Sequence, residues 1–232
     1  MSMWYIKDDH QEGLAPLSDL RASFEHRTGG VTTLERISKR AGSSPSGFIC
    51  TDPQRAKMIA ARTGLVHVEN KMAEHVDHPE IKTPWDILTH LPSLLAEDLE
   101  QADALSGAVH TQTTGDHRID VHETATIFPG VALDASIGAI RIEEGAVIRP
   151  NAVLVGPCWI GKYCTVIDGA LVKSNSVLGP HCKVGGEVGG TIFQGYANKS
   201  HDGHLGDSVI GEWVNLGAGT TNSNLLNTYG DV

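Results

Sequence analysis

Residues 142–189 read IEEGAV IRPNAV LVGPCW IGKYCT VIDGAL VKSNSV LGPHCK VGGEVG, eight hexapeptides in succession with no gap. The first position is always aliphatic: Ile142, Ile148, Leu154, Ile160, Val166, Val172, Leu178 and Val184. The fifth is small or β-branched: Ala146, Ala152, Cys158, Cys164, Ala170, Ser176, Cys182 and Val188. Neither a helical period nor the alternation of one short strand produces this register. A sustained short repeat describes an array in which each unit buries its apolar edge against its neighbours. Three flat faces of six residues close a triangular parallel coil of about eighteen residues. The aliphatic residue points into the prism, and the small one fits where the chain turns a corner.

Outward from that stretch, Val121, Ile127 and Leu133 extend the register backwards, with a three-residue slip through Ala139, Ile140 and Arg141. After Gly189 the pattern breaks. Residues 190–203, GTIFQGYANKSHDG, put polar and aromatic groups where small and aliphatic ones belong. This predicts a loop thrown out between coils, where a rigid array would carry chemistry. The register resumes at Ile210 to Val214 and Leu216 to Thr220. Asn224 to Val232 offer no recognisable cap, which predicts that further coils or another subunit cover this end.

Residues 1–105 have a different texture and predict a small α/β domain. Trp4 to Ile6 forms a short strand, and Thr32 or Thr33 caps a helix carrying Leu34 and Ile37. Phe48 to Cys50, a helix capped by Asp52 with Pro53 first, Gly64 as its stop and Leu65 to Val68 make a βαβ unit. Thr83 to Asp86 opens another helix bearing Leu88, Leu91, Leu94, Leu95 and Leu99, with a bend expected at Pro92. Residues 106–118 are polar and rich in Gly and Thr, and read as a linker; 119–232 form the coil.

The chain has 232 residues and a net charge of −10, with 17 acidic and 12 basic residues in 1–118 and 11 and 6 in 119–232. No basic run interleaved with aromatics occurs, which argues against a nucleic-acid partner. No stretch has signal-peptide or membrane-span length, so a cytoplasmic location without membrane attachment is expected. Cys164 and Cys182, eighteen apart, should stack one above the other. Their spacings match no usual zinc pattern, so the thiols read as small buried hydrophobes. Asp8 and Asp9 suit a metal or simply a strand ending in water, and Arg21 and Arg27 suit a phosphate or a surface role.

The chemistry-bearing cluster is Asn198, Lys199, Ser200, His201, Asp202, Gly203 and His204, followed by Asn215 and Asn224. His201 suits a general base in acyl transfer, since an imidazole accepts a proton near neutral pH. Lys199 suits an anionic substrate group, the asparagines suit hydroxyls or a carbonyl, and corner N–H groups suit a thioester oxyanion. A metal held by His201, Asp202 and His204 would crowd its ligands into one short loop, so no metal site is expected.

The repeat resembles the left-handed parallel β-helix of hexapeptide acyltransferases. More narrowly, HDGHLGDSVIGEWVNLGAGTTNSN (201–224) resembles the acetyltransferase half of the bifunctional N-acetylglucosamine-1-phosphate uridyltransferase/glucosamine-1-phosphate acetyltransferase (GlmU) family. The resemblance implies a homotrimer using acetyl-CoA as donor and an amino-sugar phosphate or nucleotide sugar as acceptor. It places His201 on the general base, Asn215 on a sugar-phosphate contact, and Ala218 and Asn224 beside acetyl-CoA. His204 stands where the family has a substrate-binding tyrosine, and Leu225 where another tyrosine follows the asparagine. No arginine matches the family's phosphate contact, for which Lys183 and Lys199 are nearby substitutes. The base is thus retained while the sugar pocket differs.

The segments PLSDLRASFEHRTGG and PWDIL resemble the N-terminal domain of divergent sugar nucleotidyltransferase-like proteins. The Gly-rich nucleotide signature is absent, and Mg2+ would be required only if that domain transferred nucleotides. Two alternatives therefore stand beside acetyl transfer: sugar-1-phosphate nucleotidyl transfer, and a non-catalytic trimeric scaffold.

Overall fold

The computed structural model describes residues 3–8, 12–69 and 80–223. The chain divides into two compact units, one of Met1–Arg27 and Val31–Ile87, the other of Thr28–Gly30 and Leu88–Val232.

In the first unit β1 (Tyr5–Lys7) pairs in parallel with β2 (Gly47–Ile49). Between them α1 (Thr33–Ala41) starts at Thr32, whose hydroxyl accepts from the Glu35 N–H at 3.2 Å. The Glu35 carboxylate accepts in return from the Thr32 N–H at 2.7 Å, closing a reciprocal cap. After β2, Asp52 caps α2 (Pro53–Thr63) by accepting from the N–H groups of Gln54 and Arg55. Pro53 takes the first position, where a missing N–H costs nothing, and Gly64 ends the helix in the left-handed conformation. The chain then returns beside β2, Phe48 donating to Val66 and receiving from Val68, so the expected βαβ unit is present. Trp4, Ile6, Phe24, Phe48 and Ile59 fill its core.

Asp8 neither holds a metal nor ends a strand in water. It is buried, accepts from the Ser23 N–H at 2.9 Å, and is gripped by the Arg55 guanidinium. Arg55 also donates to the carbonyls of Ser18 and Arg21, so both buried charges are satisfied. Asp9 lies outside the described residues. Arg21 pairs with Glu25 at 3.5 Å. The helix α3 (Pro84–Gln101) opens with the Asp86 carboxylate accepting from the Thr83 N–H and runs on through Pro92. Its Leu91, Leu94, Leu95 and Leu99 are buried.

The second unit takes in α3 from Leu88 onward and then forms the left-handed parallel β-helix expected from the resemblance. Three parallel sheets form its faces among the described residues. The first sheet runs from Ile119–Val121 to Val209–Ile210, the second from Thr126–Ile127 to Asn198–Lys199, and the third from Gln112–Thr114 to His204–Gly206. Gln112–Thr114, inside the stretch read as linker, already pairs with Ala132–Asp134. Ile142, Ile160 and Leu178 stack on the first face, and Ile148, Val166 and Val184 on the second. All are fully buried, and an aliphatic side chain taken out of water contributes about 1.5–3 kcal/mol. All four cysteines are buried thiols, and burial pushes the Cys158 thiol up to about 12. The packing reading of these residues is therefore the one observed.

The end of the repeat differs from expectation. Val188 does not take the small corner position; it pairs with Val172 as an inward residue. Val184 and Val188 are therefore successive inward residues only four apart, where six separate Val166 from Val172. The Gly185–Gly186 corner between them is two residues short. Nor is a loop thrown out over 190–203. That segment continues the coil through Ile192–Phe193 and Asn198–Lys199, and Phe193 and Lys199 take the inward positions over Leu178 and Val184. The break in the sequence pattern is a contraction of the coil.

Candidate active site

The contraction brings the chemistry-bearing residues to one edge of the prism, between the second and third sheets. Side chains alternate in and out along a strand, so the residues beside inward Val184 and Lys199 face outward. Lys183, Asn198 and Asn215 are consecutive register partners on that outer surface. Lys183 and Asn215 are exposed, and the Asn198 amide donates to the Asn215 side-chain oxygen at 2.6 Å. The other Asn198 side-chain atom, Oδ1, is buried without a partner, leaving an acceptor beside this row.

The corner itself is Ser200 to Gly203. His201 and Asp202 are exposed on it, and backbone bonds hold it from both sides. From below, the Glu187 N–H donates to the Gly203 carbonyl at 3.3 Å and the Gly185 N–H to the Lys199 carbonyl at 2.7 Å. From above, the Gly219 N–H donates to the Asp202 carbonyl at 3.3 Å and the Leu216 N–H to the Asn198 carbonyl at 2.8 Å. Gly203 has φ 128°, and a Cβ there would stand 2.2 Å from the Thr220 carbonyl oxygen, so this approach requires glycine. Ala218 is exposed in the turn stacked directly above, between Gly217 and Gly219. His201 and Ala218 thus share one edge.

Lys199 does not face a substrate. Its side chain points into the coil and is 1% exposed. The ammonium donates to the carbonyl oxygens of Gly185 at 3.0 Å and His201 at 2.9 Å. Burial pushes its pKa down from the ordinary lysine value, with the Asp202 carboxylate acting against that shift.

On the third sheet, Leu171, Glu187 and His204 lie in one register row. His204 Nδ1 stands 3.3 Å from Glu187 Oε1, and Lys173 Nζ reaches the same oxygen at 3.2 Å. The lysine hydrogen bond holds the Glu187 carboxyl below the usual range, and His204 adds to that shift. A carboxylate on Nδ1 selects the tautomer that leaves Nε2 as the acceptor. Glu187 and Lys173 were absent from the sequence-based set. Asn222 closes the row, its side chain bonding the N–H and the carbonyl of Gly206. Asn224 lies outside the described residues.

Along the neighbouring edge, between the first and second sheets, Tyr163, His181, Tyr196 and Trp213 stack ring on ring. Their centroids are 5.0, 5.1 and 4.6 Å apart. Each takes a left-handed corner, with φ between 53° and 63°. Trp213, 73% exposed, ends the described stack.

Among the described residues no group of three or more His, Cys, Asp or Glu side chains is placed to hold a metal, and no helix is long and apolar enough to cross a membrane. No family model matches the chain. A GDP-perosamine N-acetyl transferase from Caulobacter crescentus, solved with CoA and GDP-perosamine, covers 97% of this chain and 93% of its own at 14% identity. Its TM-score is 0.30, too low to align residue with residue. Bifunctional protein GlmU from Pseudoalteromonas atlantica is 28% identical over 134 residues, 47% of this chain and 28% of its own length. Bifunctional protein GlmU from Wigglesworthia glossinidia brevipalpis is 36% identical over 99 residues, 37% of this chain and 21% of its own. That from Tropheryma whipplei is 32% identical over 126 residues, 47% and 20%. The chain thus spans between a fifth and three tenths of the length of these relatives, and over about half of itself it is similar to GlmU proteins.

Proposed function

We propose that the protein is an acetyl-CoA-dependent N-acetyltransferase acting on an amino-sugar phosphate or nucleotide sugar, with His201 as general base. The observation that carries this reading is the fixed corner bearing an exposed His201 beneath Ala218, within a chain similar to GlmU over about half its length. In this reading the His201 imidazole takes a proton from the acceptor amine as its nitrogen attacks the thioester carbonyl. The nitrogen–carbon bond forms, the carbon–sulfur bond breaks, and CoA leaves as the thiolate. Lys183, Asn198 and Asn215 form the outer row where a sugar phosphate is met, and His204 takes the place of a neutral phenol in the acceptor pocket. Ala218 borders the pantetheine end of the donor, and Asn224 is assigned to the same donor. A homotrimer follows from the same resemblance.

The test is to incubate the purified protein with acetyl-CoA and a panel of amino-sugar phosphates and nucleotide amino sugars, and to identify products by mass. A single N-acetylated product from one class is expected. Hydrolysis of acetyl-CoA without any acetylated sugar would remove the proposal.

A further inference from the structure

Every described coil before the contraction fills the inward position of the second sheet with an aliphatic side chain: Ile127, Ile148, Val166 and Val184. The next coil puts Lys199 there, over Val184. An ammonium in an apolar prism loses its hydration and is tolerated only where fixed acceptors replace water. Two backbone carbonyls at the adjoining edge supply them. At the compressed Gly185–Gly186 corner the Gly185 carbonyl accepts at 3.0 Å, and a Cβ on Gly186 would stand 3.0 Å from Nζ. The second acceptor is the carbonyl of His201, at 2.9 Å. The buried charge therefore clamps the backbone of the one residue on the corner that the proposed chemistry uses.

We propose that Lys199 is a positioning residue: from inside the coil its ammonium locks the Gly185 and His201 carbonyls together and so fixes the corner from which the His201 imidazole meets the acceptor. This rests on the reading of His201 as base, but the clamp itself is a separate claim about the corner. The short corner, the two glycines and the inward lysine act together. An aliphatic residue at 199 would fill the prism as well, and would leave both carbonyls without their donor.

The test uses the full chain and Lys199→Met, which keeps an unbranched side chain of similar length without the charge. The expected result has four parts. The thermal midpoint is unchanged or higher. Amide exchange at residues 200–203 rises at least tenfold, while the sheets below are unaffected. Turnover falls at least tenfold with KM for acetyl-CoA within twofold. In a His201→Ala background, Lys199→Met lowers turnover no further, because its effect runs through His201. Unchanged exchange at 200–203, or losses that multiply in the double variant, would overturn the proposal. A raised acceptor KM with unchanged turnover would do so too, since that marks a substrate contact.

Should Lys199→Met not fold, the wild-type protein decides. Slowly exchanging Lys199 ammonium protons with a through-space contact to the His201 α-proton support the clamp, and a freely exchanging ammonium overturns it. Wild-type turnover in His201→Ala alone would remove the catalytic reading, leaving the exchange data to judge the clamp.

Discussion

Glu187 Oε1 stands 3.3 Å from His204 Nδ1, and this pairing exists only because the coil beneath His204 is short. A strict eighteen-residue coil would set Gly186 under His204, and the imidazole would have no carboxylate to orient it. Inward Val188 and Phe193 are five residues apart where Val172 and Leu178 are six apart, and this one-residue shortening sets Glu187 under His204 beside the His201 corner.

For that pair, Glu187→Gln keeps the shape and removes the charge that selects the His204 tautomer. Under the proposed function, KM for the acceptor rises about three- to tenfold, with turnover less affected, because a binding contact and not the base is altered. Both partners are substantially exposed, so the thermal midpoint should not move. Steady-state kinetics beside a melting curve separates the two.

Gly186 and Gly169 occupy the same edge one coil apart, each with φ 69°. A Cβ at Gly169 meets nothing within 4 Å, whereas one at Gly186 meets the Gly203 carbonyl oxygen at 2.8 Å and Lys199 Nζ at 3.0 Å. Gly169→Ala should cost about 1 kcal/mol from backbone conformation alone. Gly186→Ala should cost about 2–3 kcal/mol or more, since it also forces the compressed corner apart. Denaturant unfolding of the two variants side by side checks the difference.

These contrasts show what the sequence could carry. Ile142 to Val184 were legible as inward residues because a period of six needs only residue types to be recognised. Val188 was misassigned because the same rule gives every corner equal length, and two adjacent glycines allow a shorter one. From that point the offset between coils is no longer eighteen. The neighbours of Lys199 and His204 therefore could not be found by counting, and Glu187 and Lys173 were missed with them. Lys199 was read as a substrate contact because a lysine in an apolar prism contradicts the pattern until its two acceptors are seen. The stacked aromatics were also unseen, since nothing in residue type alone says that a tyrosine or histidine will accept a left-handed corner.

Burial of His26 in the first unit lowers its pKa from 6.5 to about 4, against the raising effect of Glu25. The folded state holds it neutral while the unfolded chain protonates at about 6.5, so the unfolded state binds more protons between the two values. Stability contributed at higher pH is lost as pH falls from 6.5 towards 4, amounting to about 3 kcal/mol at full extent. The loss should appear in the melting of this unit between pH 7 and 4, and His26→Phe should flatten it.

His181 is stacked on both sides, by Tyr163 and Tyr196, so its removal breaks two ring contacts at once. His181→Asn retains a residue tolerant of the left-handed corner and should cost about 1–2 kcal/mol. Trp213→Asn removes the single described contact with Tyr196 and should cost about half as much. Equal effects in equilibrium unfolding would contradict a stack that stabilises link by link.

CoA thiol release under saturating acetyl-CoA and the best acceptor reads out whether His201 is the base of an acetyl transfer. His201→Ala should lower turnover about 10²–10⁴-fold, as loss of a general base does, with KM for acetyl-CoA little changed. Acceptor-dependent thiol release at the wild-type rate in His201→Ala would mean that His201 is not the base.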